Sequence, residues 1–218
     1  MNVICGYRDY SKNLYKKLVK EFEFKIIDNP KKLTYPILSK INPDYVFFTD
    51  WSWIVPSNII NNFKCVCFHE SDLPKFRGGS PIQNQIIRGI KNTKTTAFVM
   101  TNDLDSGEIL LKKNLSLAGN IDEIFNRMEQ NDYDMIKKII SGKFIKRKQS
   151  GKSSLYKRRL PEQSELKNLN SSKELLYDFI RMLGDPYPNA FIKIGKRKII
   201  FKSANYKNNI LRFTGVIE

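Results

Sequence analysis

The stretch NFKCVCFHESDLPKFRGGSPIQNQIIRG, residues 62–89, determines the fold of the chain. It begins as an apolar strand, residues 62–69, and passes into a loop dense in turn-forming residues. A helix is predicted from Pro81 to Gly89, because proline is favoured in the first turn of a helix and glycine just past its end. Strand, loop and helix in this order form the repeating unit of helix-covered parallel sheets.

The same alternation continues on both sides of this stretch. Five more strands are predicted at residues 1–5, 24–27, 45–49, 95–100 and 108–115. Helices are predicted at residues 10–21, 33–41 and 121–140, the second of them interrupted by Pro36. We therefore predict an α/β fold: a Rossmann-like, mainly parallel sheet with helices on both faces. No GxGxxG or GxxxxGK[ST] motif follows the first strand, so the sequence does not favour a dinucleotide-binding protein or a P-loop NTPase.

The length, charge and cysteine content of the chain limit the class of protein to which it can belong. The chain has 218 residues and a net charge of +16, and it contains no apolar run long enough for a membrane span. Its three cysteines are too few for a disulfide framework, so we expect a cytoplasmic protein. The positive charge resembles a lysine-rich bias spread over the whole chain, and on that ground we predict that nucleic acid is not a partner.

His69, Asp105 and Cys67 are the candidate catalytic residues. Cys65, Cys67 and His69 project to one face of their strand, and Asp105 lies in a tight turn after a later strand. Since working residues of such sheets gather at the carboxyl ends of strands, we expect His69 and Asp105 to meet. A carboxylate beside an imidazole fixes its tautomer and leaves the other nitrogen for proton transfer. The alternative is a structural histidine with a solvated turn aspartate.

The sequence gives less support for a metal site or for nucleophilic catalysis by a cysteine. A metal site needs three or four ligands, and the chain has a single histidine, so we predict no metal. Cys67 is either a nucleophilic thiolate or a small residue packed behind His69. The only two tryptophans, Trp51 and Trp53, follow a predicted strand and are either core residues or the walls of a pocket for a flat ring.

Together these segments resemble the family of formyltransferases that use 10-formyltetrahydrofolate. The family pattern is Asn-x-His, then Ser-x-Leu-Pro-x-x-Arg-Gly and Pro-Ile, with an Asp-x-Gly further along. The residues that match it are His69, Ser71, Leu73, Pro74, Arg77, Gly78, Pro81, Ile82, Asp105 and Gly107. The stretch WSWI, residues 51–54, resembles the pterin-binding loop of the family, and the resemblance extends over roughly residues 45–202.

The resemblance implies direct transfer of a formyl group from folate N10 to a free amine, with His69 moving the proton and Asp105 orienting His69. The folate-binding residues that it implies are Trp51, Ser52, Trp53, Ile54, Ser71, Leu73, Pro74, Gly78, Gly79, Asn102, Asp103 and Leu104. The residues expected to contact the acceptor are Arg77, Arg159, Arg181 and Tyr187. Arg181 is alternatively an ion-pair partner on its own helix.

Cys67 departs from the family pattern, which has asparagine at this position. That amide is thought to stabilise the developing oxyanion, and a thiol is a weak donor. Another donor then has to stabilise the oxyanion in place of the asparagine: a backbone N–H, Asn102 or an ordered water. The alternative is that this branch of the family stabilises the oxyanion in a different way. A cysteine here resembles a sub-branch associated with bacterial nonulosonic (pseudaminic-type) acids.

The chain becomes strongly basic from residue 143 onward. No acidic residue occurs from Lys143 to Arg159, a stretch with eight lysines and arginines. This stretch is a solvated, mobile connector, an RNA-binding surface or a contact for a phosphate-bearing substrate. We predict a catalytic domain over residues 1–142, a basic connector over 143–160 and a small C-terminal α+β subdomain over 161–218, with a helix at 172–183 and a β-hairpin that is a candidate homodimer interface.

The segments PEQSEL (161–166) and LYDFIRMLGDPYPNAF (176–191) resemble sugar N-formyltransferases. We therefore expect the acceptor to be an activated amino sugar for surface glycan synthesis. The alternatives are a methionyl-tRNA formyltransferase, which the positive charge favours, and a catalytically silent folate- or carbohydrate-binding homologue, which Cys67 favours.

Overall fold

The computed structural model describes all 218 residues, which form two compact units. The first unit comprises Met1–Arg77, Thr93–Leu115 and Phe125–Leu155, and the second comprises Gly78–Asn92, Ser116–Ile124 and Tyr156–Glu218. None of the helices combines the length and the apolarity needed to span a bilayer.

A six-stranded sheet forms the centre of the first unit. Its strands are β1 (Asn2–Gly6), β2 (Phe24–Ile27), β3 (Val46–Asp50), β4 (Cys65–His69), β6 (Asn92–Val99) and β7 (Ile109–Ser116), in the order β2-β1-β3-β4-β6-β7. The helices are α1 (Asp9–Leu18), α2 (Tyr35–Ile41), the short α3 (Ser57–Ile60) and α5 (Ile121–Ile140). The first four strands pair in parallel, and β6 runs antiparallel to β4. The predicted α/β fold, Rossmann-like and mainly parallel, is confirmed.

The alternation of side chains along β4 divides the core into two layers. Val66 and Phe68 belong to a buried cluster with residues of α1 and α5. Cys65 and Cys67 point to the opposite face and pack against a second cluster that includes residues of α2 and α3. Both faces of the sheet are therefore covered, as the continuous apolar sequence of its strands indicates.

The second unit contains α4 (Pro81–Ile86), α6 (Lys173–Arg181) and a three-stranded antiparallel sheet. The sheet is formed by β9 (Phe191–Ile194), β10 (Arg197–Lys207) and β11 (Ile210–Ile217). Helix α6 begins after Ser172, whose Oγ accepts a hydrogen bond from the N–H of Leu175 at 3.2 Å. Two strands of two residues each, β5 (Arg77–Gly78) and β8 (Leu155–Tyr156), pair with each other, and two short 3-10 helices, Pro30–Lys32 and Pro161–Ser164, complete the elements.

Three details differ from the prediction. Pro36 lies in the first turn of α2, where its missing N–H costs nothing, so it does not interrupt that helix. The short helix α3 was not predicted from the sequence. The third difference is the direction of β6: Val99 pairs with Val66, so the carboxyl end of β6 lies beside the amino half of β4. Asp105 therefore does not reach His69 from the carboxyl end of a parallel strand, as expected, but from the loop between β6 and β7.

Candidate active site

His69 is the last residue of β4 and is almost enclosed, with 6% of its surface exposed. Its Nε2 lies 2.7 Å from the carbonyl oxygen of Phe76, and its Nδ1 lies 3.7 Å from Oδ2 of Asp105. Because a carbonyl oxygen only accepts hydrogen bonds, Nε2 carries a proton in this arrangement. Nδ1 faces the Asp105 carboxylate beyond hydrogen-bond distance, so the Phe76 carbonyl, and not Asp105 as expected, engages the nitrogen that fixes the tautomer.

The carbonyl of Phe76 is held in place by its own loop. Phe76 has a positive φ of 57°, and its N–H donates to Oγ of Ser154 at 2.9 Å. Ser71, which the sequence assigned to folate, is fully buried and donates to the carbonyl of Lys75 at 2.6 Å. Leu73 is also buried. In this structure Ser71 and Leu73 shape the loop that positions the Phe76 carbonyl.

Gln149 holds the loop that carries Asp105. Its Nε2 donates to the carbonyl oxygens of Asp105 at 2.8 Å and Gly107 at 2.9 Å. Its Oε1 accepts from Nη2 of Arg77 at 2.7 Å and from Nε at 3.2 Å. Arg77, predicted to contact the acceptor, thus places its guanidinium on the glutamine that supports Asp105. Sequence reasoning missed Gln149, because no motif marks a residue that acts on a loop so distant in the chain.

Cys67 lies on the same strand two residues before His69. Burial raises the pKa of its thiol well above the usual value, and the nearby carboxyl groups of Asp105 and Glu70 raise it further. A thiol with a raised pKa is protonated at neutral pH and is a poor nucleophile. Its sulfur has a weak hydrogen bond to the carbonyl of Phe68 at 3.7 Å. The raised pKa of the thiol therefore favours the packing role of Cys67 over the nucleophilic one.

A set of buried carboxyl groups in the first unit was not predicted from the sequence. Burial raises the pKa of Glu70 to about 7. Burial also raises the pKa of Asp132 well above its usual value, with further contributions from Glu70 and Asp50. Asp132 is wholly inaccessible on α5, and neither of its oxygens has a hydrogen-bond partner. Burial likewise raises the pKa of Asp50, against the opposing charge of Arg8, which is its ion-pair partner.

The loop after β3 presents aromatic rings and an apolar side chain at the surface. Trp51 and Trp53 meet edge to face with centroids 5.1 Å apart, and Tyr7 contacts Trp53 in the same way at 4.8 Å. Ser52 shares a 2.9 Å hydrogen bond with the hydroxyl of Tyr7. Ile54 is 88% exposed, and the buried Nε1 of Trp51 has no partner. An exposed apolar residue in the same loop as these rings is what a bound apolar ligand would cover.

The remaining predicted folate residues are distributed over two loops. Asn102, Asp103 and Leu104 are exposed in the β6–β7 loop, and the amide of Asn102 points to Oδ1 of Asn61 at 3.4 Å. Gly78 has a φ of 94°, which favours glycine. Gly79 is required for another reason: a Cβ there would lie 2.4 Å from the Cα of Arg158. Pro74 follows a cis peptide bond.

The residues of the second unit that were predicted to contact the acceptor differ in how many contacts they make within the chain. Arg181 is buried, pairs with Asp178 at 2.6 Å and donates to the carbonyl oxygens of Leu117 and Gly119. The ion-pair alternative describes what the structure shows for this residue. Arg159 is half-buried, and Tyr187 donates its N–H to the carbonyl of Gly184 at 3.1 Å. The chain brings together no group of three or more histidines, cysteines or acidic residues able to hold a metal ion.

Comparison with known proteins establishes the class of protein to which this chain belongs. A family model described as formyl transferase matches residues 15–140. A second model, described as the C-terminal domain of methionyl-tRNA formyltransferase, matches residues 161–217. The chain belongs to the formyltransferase family.

Three individual relatives show which kinds of formyltransferase this chain is similar to. A solved structure described as methionyl-tRNA formyltransferase from Clostridium thermocellum is 40% identical, with a TM-score of 0.95, and the alignment covers 100% of this chain and 99% of that one. A methionyl-tRNA formyltransferase of Rickettsia massiliae is 27% identical over 184 residues, which are 82% of this chain and 61% of the relative. The chain thus spans about three fifths of the length of such curated relatives. A sugar N-formyltransferase from Shewanella shares the fold with a TM-score of 0.73 at 19% identity, over 94% of this chain and 98% of that one.

These comparisons correct two predictions. The expected amino-sugar acceptor is wrong, because the relative at 40% identity and the C-terminal family model are both named for methionyl-tRNA formyltransferase. The prediction that nucleic acid is not a partner is wrong for the same reason. By these comparisons the positive charge is not only compositional bias, and the C-terminal segments that resemble sugar N-formyltransferases lie within residues 161–217, which match the methionyl-tRNA formyltransferase model.

Proposed function

We propose that this chain transfers a formyl group from 10-formyltetrahydrofolate to the amino group of methionine carried on tRNA. The observation that carries the proposal is the pairing of His69 with Asp105, in a chain whose relative at 40% identity is named for that reaction. A tRNA acceptor also gives the net charge of +16 a role. We expect the reaction in the cytoplasm, where the three unpaired cysteines stay reduced.

His69 is the residue that moves the proton. As the methionine nitrogen bonds to the formyl carbon, Nδ1 of His69 accepts the proton that this nitrogen loses. The Asp105 carboxylate, 3.7 Å from Nδ1, faces the charge that develops on the ring, while the Phe76 carbonyl holds the opposite nitrogen. The same proton is then available to folate N10 as the carbon–N10 bond breaks. Folate supplies the one-carbon group.

The loop after β3 is the part of the chain that fits the folate ring. Trp51 and Trp53 offer aromatic surface, and Ile54 offers an exposed apolar surface. Burial of Ile54 alone contributes roughly 1.5–3 kcal/mol to binding. Asn102, Asp103 and Leu104 are exposed on the loop that also carries Asp105, and we propose that they line the same site.

The proposal is tested by supplying purified protein with 10-formyltetrahydrofolate and charged methionyl-tRNA. We expect tetrahydrofolate release and, after the tRNA is deacylated, methionine that is heavier by one formyl group. Free methionine and a panel of nucleotide-linked amino sugars serve as competing acceptors. Formylation of an amino sugar without formylation of methionyl-tRNA would show that the proposal is wrong.

His69→Gln tests the mechanism in the same assay. We expect kcat to fall about 10²- to 10⁴-fold, the range typical of a general acid–base residue. Binding of tetrahydrofolate, followed by quenching of the tryptophan fluorescence, should stay within about twofold of wild type because Trp51 and Trp53 are untouched. Wild-type turnover in His69→Gln would remove the histidine from the mechanism.

A further inference from the structure

Ser154 makes three hydrogen bonds to the loop that follows β4. Its Oγ accepts from the N–H of Phe76 at 2.9 Å, and its carbonyl oxygen accepts from the N–H of Arg77 at 2.9 Å. Its own N–H donates to the carbonyl oxygen of Pro74 at 3.2 Å. Ser154 lies 78 residues from Phe76 in the chain, so these bonds tie the loop to a distant segment.

These bonds hold both peptide groups that flank the Cα of Phe76. The Ser154 hydroxyl holds the N–H of the preceding peptide group, and the Ser154 carbonyl holds the N–H of the following one, which belongs to Arg77. Because each peptide group is planar, fixing the two planes also fixes both backbone dihedral angles of Phe76. The two bonds therefore support a φ of 57°, which residues other than glycine rarely adopt.

The carbonyl that faces His69 belongs to the same peptide group as the N–H of Arg77. One end of this group accepts from Nε2 of His69 at 2.7 Å, and the other end donates to Ser154. A peptide group that donates through its N–H is polarised, so its oxygen becomes a stronger acceptor. A single peptide group thus separates Ser154 from His69, and the direction of that group determines which ring nitrogen carries the proton.

We propose that Ser154 is a positioning residue for His69, and that it acts through the Phe76 carbonyl to keep the proton of the neutral ring on Nε2. The inference rests on the proposed function, in which Nδ1 of His69 accepts a proton from the attacking amine. A neutral ring that carries its proton on Nδ1 cannot accept there. Gln149, earlier in the same segment, supports the loop of Asp105, so residues 149–154 hold the partners of both ring nitrogens.

The tautomer of His69 can be measured directly, because His69 is the only histidine in the chain. Protein without a histidine tag is labelled with ¹⁵N-histidine, and the chemical shifts of the two ring nitrogens are recorded at a pH where the ring is neutral. We expect the wild-type ring to be protonated predominantly at Nε2. Ser154→Ala should show a mixture of both tautomers, because the Phe76 carbonyl can then turn away from the ring.

Steady-state formylation of methionyl-tRNA gives a second readout. Ser154→Ala should lower kcat about tenfold, whereas the KM for 10-formyltetrahydrofolate should stay within about twofold of wild type. Ser154→Thr keeps a hydroxyl at this position and should recover kcat to within about threefold of wild type. If Ser154→Ala does not fold, Ser154→Cys replaces it, since a thiol is similar in size to a hydroxyl but is a weak acceptor.

Ser153→Ala is the matched control, because Ser153 is exposed and directly precedes Ser154. It should leave kcat and the tautomer unchanged. If Ser154→Ala and Ser154→Cys keep the wild-type tautomer, the inference is wrong, whatever the change in kcat. A mixture of tautomers in Ser153→Ala equal to that in Ser154→Ala would also overturn it, because the effect would then not depend on the contact with Phe76.

The two readouts separate this inference from the proposed function. The nitrogen spectra need no tRNA, so they decide the role of Ser154 even if wild-type protein does not formylate methionyl-tRNA, in which case the proposed function is wrong. If wild-type protein formylates methionyl-tRNA and Ser154→Ala keeps the wild-type tautomer, the proposed function stands and the inference about Ser154 is wrong.

Discussion

The two ring nitrogens of His69 have different surroundings, and this difference assigns their roles. Nε2 is engaged by the Phe76 carbonyl at 2.7 Å, whereas Nδ1 faces Asp105 across 3.7 Å. The longer distance is beyond a hydrogen bond, as is common for catalytic pairs before the substrate is bound. The tautomer of the free ring is thus set by a backbone carbonyl of the loop that follows β4, and Asp105 acts on the opposite nitrogen.

Cys67 gives a prediction at the scale of one residue. Cys67→Ala should keep kcat within about threefold of wild type, because a protonated thiol neither attacks the formyl carbon nor donates a strong hydrogen bond. Steady-state formylation and mass spectrometry of acid-quenched protein check this. Loss of turnover in Cys67→Ala, together with a formyl adduct on the wild-type cysteine, would instead identify Cys67 as the nucleophile.

Single residues differ in how far the sequence predicts them. His69, Asp105 and the tryptophan loop stand out because their residue types are rare in the chain or lie in a specific pattern. The burial of Asp132 and the raised pKa of Glu70 are not visible in the sequence, because both depend on which elements pack around these side chains. The sequence does not mark Ser154 either, because a serine in a polar connecting segment is normally a solvated side chain.

At the scale of elements, the loop between β6 and β7 depends on Gln149 for its position. Gln149→Ala removes two hydrogen bonds to that loop, so we expect kcat to fall about 10- to 100-fold as Asp105 moves away from His69. The KM for folate should change less than kcat. Steady-state kinetics at saturating methionyl-tRNA measures both.

Gln130→Ala is the control for this variant, because Gln130 makes one exposed hydrogen bond to Asp134 on the same helix. It should leave kcat unchanged. Equal kcat in Gln149→Ala and wild type would show that the loop holds Asp105 without Gln149.

The predicted elements follow from apolar periodicity where the period is clear. Helix α5 has the predicted bounds, Ile121–Ile140, because its buried and exposed residues alternate with a helical period over five turns. The direction of β6 was missed because periodicity is the same for parallel and antiparallel strands. Pro36 was predicted to interrupt α2, but it lies in the first turn of that helix. A proline is favourable in the first turn of a helix and unfavourable in its interior.

For the whole molecule, the buried carboxyl groups predict how stability depends on pH. The pKa of Glu70 rises from 4.5 to about 7, and those of Asp132 and Asp50 also rise. The folded state therefore binds more protons than the unfolded state between about pH 4 and pH 7, so the free energy of unfolding falls as pH increases through this window. Glu70 alone accounts for roughly 3 kcal/mol.

Urea unfolding at pH 5, 6, 7 and 8 measures this dependence. Glu70→Gln should flatten the pH dependence and stabilise the protein most at pH 8. Asp132→Asn should change the slope in the same direction. A free energy of unfolding that rises from pH 5 to pH 7 in the wild type would contradict the prediction.

The contact between Gln149 and the Asp105 loop has a consequence for the order in which the protein matures during synthesis. All six strands of the central sheet are complete by Ser116, yet the carbonyl oxygens of Asp105 and Gly107 gain their partner only after Gln149 has been translated. A nascent chain therefore contains every strand of the sheet before it contains the residue that holds the Asp105 loop. We expect the pair of His69 and Asp105 to reach its final geometry late in synthesis, after the last strand of the sheet has been made.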